Sequence, residues 1–179
     1  MNRKYTRGGR TTRPPLLSMK KHIIQMGRII LLLAAVILPM GLVPWVVVVR
    51  SGSGWIYDRP SEPNLTVTIH FIHSVQKTPI WEYLVVDDRQ QGFTLTSTKY
   101  QSFGVGLPFL EGDGVFRKEG NFFIMDHMDR HFKTLPLRTG VGTKLSVTIG
   151  ERDLDVYEWL PVGSEVDITV GPLYAALLT

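Results

Sequence analysis

IHFIHSVQKTPIWEYLVV, residues 69–86, carries two apolar alternations separated by a polar break. Val67, Ile69, Phe71, His73 and Val75 mark one face of the first arm, and Ile80, Glu82, Leu84 and Val86 mark one face of the second. A period of two is the signature of a strand with one covered face. The Thr, Val, Ile, Trp and Tyr content of both arms suits strands. Gln76, Lys77, Thr78 and Pro79 form the break, and Pro79, which has no N–H to give to a ladder, belongs in a turn. A turn over 76–79 sets Val75 against Ile80, His73 against Glu82, Phe71 against Leu84 and Ile69 against Val86. A slip by one residue would set apolar positions against Trp81, Tyr83 and Asp87. The expectation is a hairpin whose apolar face holds one polar cross-strand pair, His73 with Glu82. Directly opposed side chains are close enough to hydrogen-bond, and a carboxylate on that face needs a partner because an unpaired buried charge is costly. Such a pair is either a structural contact at the end of a sheet or part of a ligand-binding or catalytic dyad.

Working outward, Phe93 to Tyr100 alternates again, and strands are expected at 121–125, 144–149, 154–160 and 165–170. Turns separate them at 87–92, 111–114, 150–153 and 161–164, each rich in Gly, Asp, Asn or Pro. The apolar tail 172–179 is expected to cover a sheet edge. Short strands with no long amphipathic helix between them predict an all-β fold. The expected architecture is an antiparallel β-sandwich or barrel-like outer domain preceded by one transmembrane helix.

That helix is read from the amino-terminal third. Residues 1–28 contain Arg3, Lys4, Arg7, Arg10, Arg13, Lys20, Lys21 and Arg28 and no acid, so they read as a disordered basic tail. Residues 29–49 contain no charge, and as a helix they span about 30 Å, the thickness of a bilayer core. Pro39 and Pro44 would kink such a helix, which membrane helices tolerate. Trp45 sits where interfacial aromatics are common. The positive-inside rule keeps the tail in the cytoplasm and the remainder outside. The expected division is therefore a cytoplasmic tail (1–28), a single-pass membrane anchor (29–49), a linker (50–64) and an extracytoplasmic β domain (65–179). A cleaved signal sequence is the alternative for the apolar segment.

From Ser51 onward eleven basic residues meet sixteen acidic ones, so the outer region is acidic although the whole chain is at +4. An acidic domain repels phosphates and argues against nucleic acid, and the basic tail suits anionic lipid headgroups. The chain has no cysteine, which excludes disulfides and thiolate metal sites. No cofactor is expected.

Ser102, Gly104, Gly106 and Pro108 lie in a loop whose two glycines permit positive φ and close backbone approach, so it can present N–H groups to an anion, although G-x-G alone is a weak motif and a simple bend is the commoner reading. Asp126, His127, Asp129 and His131 form the densest run of oxygen and imidazole ligands, a weak candidate for a divalent metal because its spacing matches no established motif. A hydrolase using His73 and Ser74 is disfavoured: adjacent strand residues point to opposite faces. His70 shares the Ser74 face, but there is no nucleophile elbow.

His73-Ser74-Val75 with Pro79 and Glu82, followed by Ser102-Phe103-Gly104-Val105-Gly106-Leu107-Pro108 and by Leu160-Pro161-Val162-Gly163-Ser164, resembles a bacterial and archaeal family of unknown function (DUF1850-like). Val105 and the long basic tail depart from its usual pattern. Genes of that family commonly neighbour TAXI-type TRAP transporters, which import carboxylates. The resemblance implies a membrane location, TRAP transporter subunits as partners and a small carboxylate as ligand, but no established activity. It also makes His73, Ser74, Glu82, Ser102, Gly104, Gly106 and Pro108 the candidate ligand or partner site. The leading expectation is a non-enzymatic accessory domain. The alternatives are a ligand- or metal-binding module of the cell envelope and, behind it, the hydrolase.

Overall fold

A computed structural model describes residues 25–32, 44–52, 54–102, 112 and 114–178. The chain forms two compact units, Met1–Val43 and Pro44–Thr179. In the first, residues 25–32 are helical (α1). No helix among the described residues is long and apolar enough to cross a membrane. The basic tail up to residue 24, and 33–43 of the expected span, lie outside the described residues.

The far end of that expected span is not helix. Trp45–Ser51 is strand β1, and Gly54–Pro60, placed by sequence in a linker, is strand β2. The second unit continues with β3 (Thr66–Ile72), β4 (Pro79–Val86), β5 (Phe93–Tyr100), β6 (Val115–Glu119), β7 (Phe122–Asp126), β8 (Arg130–Phe132) and β9 (Thr134–Arg138). It ends with β10 (Ser146–Ile149), β11 (Arg152–Leu154), α2 (Val156–Trp159), β12 (Glu165–Pro172) and α3 (Leu173–Leu178). One sheet has the order β2-β1-β12-β9. The other has the order β11-β10-β3-β4-β5-β7-β6, with β8 also on β5. All the pairings are antiparallel, and neither sheet closes on itself.

The two sheets share one core. Val47 and Val49 of β1, Leu135 of β9 and Val166 and Ile168 of β12 come from the smaller sheet. Val67, Ile69, Leu84, Val86, Phe93, Leu95, Val147 and Ile149 come from the larger. The arrangement is a sandwich of antiparallel sheets, not a barrel.

The misreading of β1 has a physical cause. Val47 and Val49 face the shared core, and Val46 and Val48, on the other side of the strand, are also buried. A strand covered on both faces reads as a continuous apolar run, which joins without a break to the apolar residues before it. The tail forms the short helix α3 against β1 and β12. Expected strand 154–160 is only partly so. β11 stops at Leu154, and one helical turn, α2, follows, burying Val156.

The Pro161–Ser164 turn is fastened to the end of β9 by a buried hydroxyl. Thr139 Oγ1 donates to the Pro161 carbonyl (2.6 Å) and accepts from the Ser164 amide (2.9 Å), while Gly163 adopts φ 91°, a conformation that favours glycine.

Because β1 lies between β2 and β12, the domain should not fold without it. A chain beginning at residue 44 is expected to unfold cooperatively on heating, and one beginning at residue 65 to show no cooperative transition in circular dichroism. Equal transitions would show β1 to be dispensable.

Candidate functional site

The hairpin at the head of the sequence exists, but with a longer turn than its pattern suggests. The register is Val67↔Leu84, Ile69↔Glu82, Phe71↔Ile80 and Ile72↔Pro79. Residues 73–78 form the turn, closed by the His73 amide on the Thr78 carbonyl (2.9 Å). Its cause is the imidazole. His73 Nδ1 accepts from the amides of both Val75 and Gln76 at 3.1 Å, and the Lys77 amide bonds the His73 carbonyl at 2.9 Å, with Lys77 at φ 56°. Side-chain acceptors that capture amides two and three residues on compete with the ladder and build turns. Val75, expected to pair with Ile80, is 75% exposed instead.

Direct His73–Glu82 pairing is therefore incorrect: Glu82 lies opposite Ile69 on β3 and Thr98 on β5. The displacement is an even number of residues, so the faces are kept. His73, Ser74 and Glu82 all line one cavity of about 400 Å³ at the end of the sandwich. Its floor is apolar, from Ile69, Phe71, Ile80, Leu137 and Leu145. Arg138 and Thr143 complete its polar rim.

Glu82 is half-buried, and no side-chain hydrogen bond to its carboxyl is present among the described residues. Its neighbour Thr98 spends its hydroxyl on Met128 Sδ (3.6 Å). Burial pushes the Glu82 carboxyl above the usual range, and the field of Arg130 opposes this. At the rim, the Arg138 guanidinium donates to Glu165 and to the Gly163 carbonyl. With two amides aimed at Nδ1, His73 carries its proton on Nε2, so it presents a donor and no acceptor.

Among the other expected site residues, Ser102 Oγ meets Thr78 Oγ1 at 2.8 Å, tying the segment after β5 to the hairpin turn. Gly104, Gly106 and Pro108 lie outside the described residues. Ser74 is exposed in the turn and is not bonded to a histidine among the described residues. His70 faces away from the core, stacked on Trp81 at 4.8 Å, near Ser146 Oγ (3.4 Å). Its pKa is lowered by burial.

The expected metal run is divided. Asp126 binds Ser97 Oγ and Arg117 Nε, each at 2.6 Å, and these two hold its carboxyl below the usual range, the hydroxyl first. His131 meets Thr94 Oγ1 (2.9 Å) and Asp129 (3.3 Å). Among the described residues no three His, Asp or Glu side chains are placed to hold a metal ion. Strand alternation and the bend at His127 (φ 56°) send the members apart.

Sequence reasoning missed Arg138, Leu137 and Thr143. Pro136 hides the strand of Leu137 and Arg138, because β9 is an edge strand that pairs with β12, where proline is tolerated, and Thr143 lies in the turn that follows.

Residues 67–156, half of the chain, match the family described as Domain of unknown function (DUF1850). No curated protein and no solved structure matches the chain. The cavity's lining, from Ile69 to Leu145, falls inside the matched stretch.

Two outcomes follow from this geometry. His73→Ala removes the acceptor of both turn amides and should cost about 1–2 kcal/mol in urea unfolding. His73→Asn, whose side-chain oxygen restores an acceptor, should recover part of that, and equal losses would count against the capping role. Glu82 binds its proton more tightly folded than unfolded, so its contribution to stability is full at acid pH and lost as pH rises through the folded pKa. Glu82→Gln should therefore raise Tm above wild type at pH 8, by about 2–5 °C, and leave it unchanged at pH 4. A variant less stable than wild type at pH 8 would contradict this.

Proposed function

The chain belongs to the DUF1850 family, and we propose that its β domain is a non-enzymatic, ligand-binding accessory of a membrane transporter, with the Glu82 cavity as the binding site. The observation that carries this reading is a carboxyl without a hydrogen-bond partner among the described residues, set in an apolar cavity open to solvent beside His73 and Arg138. Ligand sites have this form, with concave apolar walls and a few convergent polar groups.

A binding role fits better than catalysis. In the tautomer set by the turn amides, His73 has no lone pair free to act as a base. Ser74 lacks an activating histidine among the described residues, as a serine nucleophile requires.

Attachment to a membrane is supported by the uncharged run 29–43 behind eight basic residues, a pairing of apolar segment and cationic tail that suits anionic lipid headgroups. The resemblance to a family encoded beside TRAP transporters supplies the partner and points to a small carboxylate as ligand.

The test is a pull-down of the full chain from crosslinked membranes, wild type beside a His73→Ala/Glu82→Ala variant whose folding is verified by circular dichroism. Transporter subunits are expected with wild type and not with the variant, and loss of the gene should reduce carboxylate uptake. Uptake of every carboxylate unchanged on gene loss would overturn the accessory role.

A further inference from the structure

We propose that the cavity takes up its carboxylate together with one proton, shared between Glu82 and a carboxylate oxygen of the ligand. This rests on the reading that the cavity is a binding site.

The donor inventory leads there. His73 offers an Nε2–H and no acceptor, because its Nδ1 is occupied by the Val75 and Gln76 amides. Arg138 brings a guanidinium to the rim, where it is already ion-paired with Glu165, so it adds N–H donors to the site more than net charge. Both groups call for an acceptor-rich, anionic ligand, and an amine would meet an N–H donor and a guanidinium. Glu82 is the exception, a carboxyl with no hydrogen-bond partner among the described residues. Ionised, it would repel the anion that its neighbours attract. Protonated, it becomes a third donor, and two carboxyls that share a site hold one proton between them.

The surroundings of Glu82 support the protonated form. From β8 Arg130 acts on it, from the turn His73 and from β9 Arg138 share its cavity, and β3 and β5 present the uncharged Ile69, Phe71 and Thr98. Burial outweighs Arg130 and favours the neutral acid. In the binding step the shared proton is the one Glu82 already carries below its free pKa and one taken from solvent above it; it ends between a Glu82 Oε and a ligand oxygen, and no covalent bond to carbon changes.

Isothermal titration of the full chain in detergent, with acetate, succinate and putrescine as probes between pH 5 and 8, tests this. Two buffers of different ionisation enthalpy count the protons. Wild type is expected to bind acetate or succinate with net proton uptake that grows toward pH 8 and vanishes toward pH 5, and with an affinity that falls up to about tenfold per pH unit on the alkaline side. Glu82→Gln, which keeps a neutral donor in place, is expected to bind at least about tenfold more tightly than wild type at pH 8, with a flat pH profile. PH-independent binding by wild type, or a Glu82→Gln variant that keeps the wild-type profile or loses binding, overturns the shared proton and leaves the binding site standing. Binding of putrescine in preference to both acids overturns the ligand class alone. No binding of any probe by wild type overturns this inference and the binding role together.

Discussion

The imidazole of His73 decides where the central hairpin turns. Two backbone amides point at one ring nitrogen, and residues 73–78 leave the ladder to satisfy it. A neutral hydrogen bond contributes about 1 kcal/mol net, so two of them compete with the few ladder bonds that a longer hairpin would add. The register that results puts Phe71 against Ile80 and leaves Val75 in solvent. It also draws His73 to the rim of the sandwich while Glu82 stays two residues inside the apolar face. The cavity is the space between these two positions and β9.

The same constraint explains the electrostatics. Had Glu82 stood opposite His73, the two would neutralise each other and the end of the sheet would be a structural contact. Opposite Ile69 and Thr98, the carboxyl lacks a bonded partner among the described residues, and its charge is resisted by burial. Among the described residues the ion pairs do not involve Glu82 and are largely exposed: Arg117 with Asp126 and Glu119, His131 with Asp129, and, at the cavity rim, Arg138 with Glu165. Pairs of that kind contribute little to stability. A carboxyl whose charge is resisted by burial thus stands in the cavity, the kind of perturbed group that is common at functional sites.

Period-two alternation made much of this legible. β3, β4, β5, β7, β10 and β12 stand near where the pattern puts them, because each has one face on the shared core. β1 was illegible because both of its faces are covered, and four successive valines carry no period. β6 and β8 are short and largely exposed, and β9 contains Pro136, so none has the apolar alternation of a strand with a buried face. For the cavity, the pattern put His73 and Glu82 on the same face, where both line it, but not in the right register. Turn length here is set by a side-chain acceptor, and apolar periodicity is blind to where a histidine nitrogen finds its donors. Arg138 was beyond reach for a different reason: it comes to the cavity from the opposite sheet, a contact that only the fold can make.

That opposite sheet also sets how far the site belongs to the matched region. Residues 67–156 contain the strands of the larger sheet and β9, and so the whole cavity lining. They do not contain β1, β2 or β12. Yet β9 is an edge strand whose pairing is to β12, and β12 in turn is held by β1. One wall of the cavity therefore hangs on strands that the matched stretch does not include. Leu135 and Val166, across the β9–β12 pair, bury their side chains in the shared core with Val47 and Val49. The apolar segment that resembles the end of a membrane span is thus the support that keeps Pro136–Arg138 facing Glu82. The site is a property of the two-sheet sandwich and not of the hairpin alone, even though His73 and Glu82 lie in the hairpin.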